Sequence, residues 1–188
     1  MKKSIKTKEA IFPMPVLMIG TYNEDGSVDV MNAAWGMMLD RDYVVLNLSE
    51  NHKTVKNIKN KGYFTVALAD KSHVVEADYF GMVSANSSFD KFERSGLHSI
   101  PAKDCDAPII EEFPISMICR FEEYQENEFG CGVVGRILDV VADEKVLNKD
   151  GSVDTSKIEA LAFDPFNHGY YVVDKKVGNA FSDGNKLK

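Results

Sequence analysis

Five residues between positions 49 and 54 stand where the apolar run "YVVLNLS" gives way to "ENHKTVKNIKNKG": Ser49, Asn51, His52, Lys53 and Thr54. The first run alternates and is rich in β-branched residues, the mark of a strand. In the second, Val55 and Ile58 lie three apart among lysines and asparagines, and Gly62 closes the run. That spacing predicts a short helix with one apolar face and a glycine C-cap. A helix that starts just after a strand end leaves free backbone N–H groups at the positive end of its dipole, an arrangement that suits an anion and above all a phosphate. Ser49, Asn51 and Thr54 add neutral donors there, and His52 and Lys53 can add positive charge. The same residues also suit an ordinary helix start, with Asn51 as its cap and the lysines in solvent.

A second group lies in "MNAAWGMM", which holds the one tryptophan of the chain. Asn32 carries both a donor and an acceptor for the edge of a heterocycle. Ala33 and Ala34 permit close backbone approach, and Trp35 offers a large aromatic face. Together they suit a slot for a flat, polar-edged ligand, while a core tryptophan in a barrel is the competing reading. A third group, "SFDKFERSGL", sets Lys91 and Arg94 one turn apart on a helix. They either meet an anionic ligand edge together or sit in solvent beside Asp90 and Glu93. His52, His73, His98 and His168 are far apart with no metal-ligand spacing, so no metal site is expected. There is no evident catalytic triad and no carboxylate that marks itself as a general acid. No catalytic residue is assigned, and any chemistry would rest mainly with a bound cofactor.

The elements that must position these groups read mostly as strands. "PVLMIGTY", the turn "NEDGS" and "VDVMNAAW" form a hairpin, "YFTVALAD" is a further strand, and "SHVVEADYFGMVSAN" and "SFDKFERSGL" are helical pieces, the former with Ser72 as a plausible cap. "PISMICRFEEYQEN" and "FGCGVVGRILDVVADEKV" are two long strands, and "GYYVVDKK" is the last. Hairpin-linked strands with inserted helices argue a mainly β fold, an antiparallel barrel or sandwich. No GxGxxG or GxxxxGK[ST] follows any strand.

With 188 residues, 44% hydrophobic and 27% charged, the chain suits one domain over 1–188. No apolar run nears the ~20 residues that span a bilayer, so no membrane partner is expected. Pro13 and Pro15 interrupt the lysine-led N-terminus, which argues against a signal peptide. A net charge of −7 argues against nucleic acid, though not against a local anion site. Cys105, Cys119 and Cys131 form no CxxC pair, which suits a reducing cytoplasm; a redox role for Cys131, between two glycines, stays open.

The order of these motifs resembles the flavin reductase-like, FMN-binding split-barrel family, and within it the flavoredoxin group. The likeness runs from "PVLMIGTYNEDGSVDVMNAAWG" through "LSENHKTVKNIKNKGYFTVAL" and "ADYFGMVSANSSFDKFERSGL" to "GCGVVGRILDV" and "YYVVDKKVGNAFSDG". The resemblance implies a Greek-key split β-barrel, a homodimer and non-covalently bound FMN. It implies that Asn32, Ala33 and Trp35 lie at the isoalloxazine ring and that Ser49, Asn51, Lys53 and Thr54 hold the phosphate; Ala34 and His52, from the residues themselves, join the cofactor-binding set. Lys91 would be a further cationic contact with the flavin, and Phe163, in "LAFDPF", an aromatic near the ring. The function it implies is transfer of hydride or electrons through FMN to a small acceptor or a redox partner protein, with NAD(P)H as a candidate donor. A non-catalytic flavin-binding module, or a split barrel for another ligand, is the alternative. One departure stands out: many relatives carry a histidine shortly before the position of Gly135, where this chain has Gly130 and Cys131. That counts against a nicotinamide-contacting role for this segment.

Overall fold

The computed structural model describes residues 1–127 and 130–188. Glu128 and Phe129, with the side chains of Asn127 and Cys131, lie outside the described residues, and so does the redox reading of Cys131. The strands are β1 (Met14–Pro15), β2 (Leu17–Tyr22), β3 (Val28–Ala33), β4 (Gly36–Asp40), β5 (Tyr43–Asn47), β6 (Tyr63–Leu68), β7 (Ser99–Pro101), β8 (Pro108–Ile110), β9 (Ile115–Asn127), β10 (Gly130–Ala142), β11 (Leu161–Asp164) and β12 (Gly169–Val172). The helices are α1 (Lys53–Lys61), α2 (Val74–Met82) and α3 (Lys91–Ser95).

Seven strands form one curled antiparallel sheet in the order β3-β2-β6-β9-β10-β5-β4, a half-barrel whose free edges are β3 and β4. A smaller sheet, β1-β11-β12, lies alongside, and β7 pairs with β8. This is the mainly β split barrel with inserted helices that the motifs pointed to.

Period-two alternation divides the interior into two cores. On β2, Leu17 and Ile19 face one way and Met18 the other; on β6, Phe64 and Val66 oppose Ala67. The first set packs with Val44, Leu46 and Val133 and is covered by Val55 and Ile58 of α1. The second packs under Ala77 and Phe80 of α2 and Phe92 of α3. Helix α1 shows the expected apolar stripe, and Gly62 closes it at φ 74°, its N–H donating to the Ile58 carbonyl. Asn57 fixes the helix further, its amide donating to Thr21 Oγ1 at 3.1 Å and Asn23 Oδ1 at 2.9 Å.

Two local readings need correction. The strand "VDVMNAAW" ends at Ala33, and after a corner at Trp35 a separate strand β4 begins. The Trp35 carbonyl accepts from the Asn47 N–H at 2.7 Å, which ties that corner to β5. Nor does Ser72 cap the helical segment. The Asp70 carboxylate accepts from the Ser72 and His73 N–H groups, at 3.1 Å each, and starts a 3-10 turn that leads into α2. A carboxylate there complements the helix dipole better than a hydroxyl does.

Gly135 is needed for close approach rather than for a special φ. A Cβ at this position would lie 2.4 Å from the Phe64 ring, and Phe64 is fully buried and cannot swing aside. Gly135→Ala is therefore expected to lower stability by about 1–3 kcal/mol, read from the urea midpoint.

Candidate functional site

The sheet's free edge β3 organises the site. Side chains alternate along it, so Asp29, Met31 and Ala33 face the α1 side while Val30 and Asn32 face α2. A cleft of about 130 Å³ opens at this edge, lined by Met31, Asn32, His52, Lys53, Thr54, Lys91 and the stretch from Phe80 to Ala85, which ends α2 and runs past it. A second cleft, of about 320 Å³, is lined by Val16, Asn32, Ala34, Trp35, Asp78, Gly81, Met82, Phe163 and Tyr170. The two share Asn32, Gly81 and Met82, so the tryptophan slot and the helix-start anion site are neighbours.

In the aromatic cleft, Trp35 is 51% exposed, which rules out the core-tryptophan reading. Ala34 and Asn32 line the cleft, but Ala33 does not: strand alternation sends its side chain into the core beside Leu17 and Leu46. Asn32 is fixed by donating to the Ala77 carbonyl at 2.8 Å. Phe163 on β11 stands opposite Tyr170 on β12 in the strand register and in ring contact with it, 6.1 Å between centroids. Tyr170 donates to Asp78 Oδ1 at 2.9 Å. Burial, reinforced by the Asp78 carboxylate, pushes this phenol up to about 12, against a weaker opposing contribution from Asn32.

The anion cleft begins at α1. His52 occupies the N-cap in extended conformation, and no side chain caps the helix. Asn51 is thus not the cap, and among the described residues the first N–H groups of α1 have no side-chain acceptor. Ser49 and Asn51 are exposed: Ser49 Oγ accepts from the Asn51 N–H at 3.4 Å within the turn, and the Asn51 backbone carbonyl accepts from the Asn86 side-chain amide at 3.0 Å. His52, Lys53 and Thr54 line the cleft directly. The Thr54 hydroxyl donates to Asp29 Oδ2 at 2.6 Å, so its proton is already used.

Lys91 and Arg94 part company, contrary to a shared cationic face. Arg94 is exposed and pairs with Asp90 at 2.7 Å. Lys91 is 4% exposed, its ammonium 3.9 Å from Asp29 Oδ1 and 5.5 Å from the Phe80 ring centroid. Burial pulls Lys91 below the ordinary lysine range, with Asp29 opposing, and pushes Asp29 above the ordinary carboxylate range. Local desolvation, then the Lys91 charge, hold His52 below the usual imidazole range. An uncapped helix start contributes about 0.3–2 kcal/mol to a bound anion. That alone is too little to hold an anion tightly.

Sequence reasoning missed Asp29, Asp78, Gly81 and Tyr170. Tyr170 was within reach, since it belongs to the alternating run "GYYVV"; Asp29 and Asp78 gave no signal in a chain of many carboxylates. Among the described residues no group of histidine, cysteine and carboxylate side chains could hold a metal. Among the described residues no helix is long and apolar enough to cross a membrane.

The half-barrel with a ligand cleft across its free edge defines a split-barrel protein. The family described as flavin reductase like domain matches residues 9–160, and the chain belongs to that family. It is similar to flavoredoxin of Desulfovibrio vulgaris (Miyazaki F), with 32% identity and a TM-score of 0.92 over 98% of this chain and 100% of that one. Flavoredoxin from Methanosarcina acetivorans shares the fold at 24% identity, TM-score 0.87, over the whole of both chains. Nitrilotriacetate monooxygenase component B from Bacillus cereus shares it at 19%, TM-score 0.80, over 95% of this chain and 99% of that one. No curated protein matches the chain.

The Tyr170–Asp78 bond sets a titration. Asp78→Asn is expected to bring Tyr170 down from about 12 toward its ordinary value of 10.0, because a negative neighbour no longer opposes the phenolate. Phenolate absorbance against pH, with Tyr170→Phe subtracted, checks this; an unmoved step would mean that burial alone holds the phenol.

Proposed function

We propose that the protein is an FMN-carrying redox protein of the flavin reductase and flavoredoxin type. It would pass hydride or electrons to a small acceptor or a partner protein. The observation that carries this reading is the adjacency of the two clefts across Asn32, Gly81 and Met82. A flat aromatic slot joined to a cationic helix start suits a heterocycle with a phosphate tail and little else among common cofactors.

The residues present fit that group. Trp35 and Phe163 offer aromatic surface, and Asn32 a polar edge. Lys53, Lys91, His52 and the α1 N–H groups offer donors and positive charge. When bound, FMN supplies reversible one- or two-electron chemistry that no side chain here provides. The chain's part is positional. Asn32 is held by Ala77, Lys91 is held in a site largely closed to water, and the Tyr170 hydroxyl is committed to Asp78. The missing histidine near Gly130 supports a carrier reduced by another protein over a reductase that binds NAD(P)H. A cytoplasmic setting fits the cysteine usage.

We also infer a homodimer. Strand β4 is a free edge, and Met37, Met38 and Leu39 on it are exposed next to Trp35. An apolar stretch on an unprotected edge suits burial against a second copy. Light scattering is expected to give twice the chain mass, and Met38→Lys with Leu39→Glu to give a monomer.

The main test is a visible absorption spectrum of the purified protein before and after FMN, then under anaerobic NADH or NADPH. A bound-flavin spectrum is expected, bleached by dithionite and not by nicotinamide. Bleaching by NADH would make the protein a nicotinamide-dependent enzyme, and no flavin spectrum at all would sink the assignment. Trp35→Ala and Lys53→Ala are each expected to weaken FMN binding about tenfold, about 1.4 kcal/mol, with the fold retained. FMN should bind well above riboflavin.

A further inference from the structure

The Lys91–Asp29 pair is poorly made for a merely structural ion pair. Both residues are buried, at 4% and 2% exposure, where taking two charges out of water is costly unless they are closely hydrogen-bonded. A charge-assisted N–H···O bond closes to about 2.7–2.9 Å. Here the gap is 3.9 Å. Asp29 is anchored on one oxygen only, by the Thr54 hydroxyl, and Oδ1 has no hydrogen-bond partner among the described residues. Lys91 meanwhile lines the cleft where α1 begins uncapped beside Lys53. A buried ammonium with donors unspent toward its own counter-ion is set to receive a second acceptor.

We propose that Asp29 is a placeholder anion for the phosphate of a bound ligand. In the ligand-free protein it balances the Lys91 charge without taking up its hydrogen bonds. A phosphate entering the cleft then becomes the acceptor for those bonds, against the field of the carboxylate behind. Asp29 is therefore a specificity residue: its charge weakens the hold on any anion too weak to compete for Lys91. The identity of the ligand rests on the FMN reading above, whereas the role of Asp29 toward a phosphate does not.

Asp29→Asn tests it, because the amide oxygen still accepts from Thr54 while the charge is gone. Binding of inorganic phosphate, FMN and riboflavin is measured by calorimetry on the full chain, with thermal unfolding of the free protein alongside. The expected result is phosphate and FMN affinity raised about tenfold, as for removal of one negative charge a few ångströms from an anion in a partly screened site. Riboflavin affinity should move less than twofold, and the free protein should melt lower and recover with phosphate. If phosphate tightens but no flavin binds either protein, the placeholder role stands and the FMN reading falls. Unchanged or weakened phosphate binding overturns the proposal, as does an equal gain for riboflavin. Should Asp29→Asn alone fail to fold, Asp29→Asn with Lys91→Gln removes both charges. Phosphate binding must then drop at least tenfold below the wild type, and retained affinity overturns the proposal.

Discussion

Everything at the ligand cleft depends on β3 being an edge strand with a strict two-residue alternation. An interior strand has helices or sheets over both faces and neighbours on both sides, so nothing can reach around it. At the edge, one face of β3 turns toward α1 and the other toward α2, and the gap between the two helices opens onto the strand itself. Five consecutive residues then do different work. Asp29 reaches Thr54 and Lys91 beneath the strand, Val30 fills the α2 core, Met31 and Asn32 line the cleft, and Ala33 returns to the barrel. Slipping the register by one residue would exchange all of these roles at once.

The cost of that arrangement falls on the polar groups beneath the strand. Asp29, Thr54, Asn57, Thr21 and Lys91 are all buried where a split barrel of this size could have placed aliphatic side chains. Asn57 and Thr21 are satisfied by each other and by Asn23. The Asp29–Lys91 contact is not, and replacing such a pair with apolar groups is often neutral or stabilising. Its presence marks a part of the molecule that is not optimised for stability alone.

The sequence made the strands and α1 legible because each has a clean period, and it made Lys53, His52 and Thr54 legible because they crowd a strand-to-helix junction. It also suggested the aromatic slot, since Trp35 among alanines is an odd neighbourhood for a core residue. What spacing left undecided has a common cause. Ala33 and Ala34 look alike in sequence, and only the exact end of β3 tells that one faces the core and the other the cleft. Ser49 and Asn51 have the right chemistry, but only the folded turn shows that Ser49 Oγ accepts from the Asn51 N–H and that the Asn51 carbonyl accepts from Asn86. Lys91 and Arg94 share a helix, yet burial separates a buried cation from a solvated one. Asp29 and Asp78 acquire meaning only from partners far away in the chain. Spacing cannot encode such contacts.

The aromatic cleft takes one wall from Asn32 and Trp35, near the start of the chain, and the other from Phe163 and Tyr170, near its end. The bond from Tyr170 to Asp78 clamps the last strand to the middle of the molecule. During synthesis the first wall leaves the ribosome long before the second, and the slot cannot close until β12 has emerged and docked. The two walls therefore meet only when the fold brings distant parts of the chain together, and a protein cut short before Gly169 would keep most of its barrel while losing Tyr170 and its clamp to Asp78.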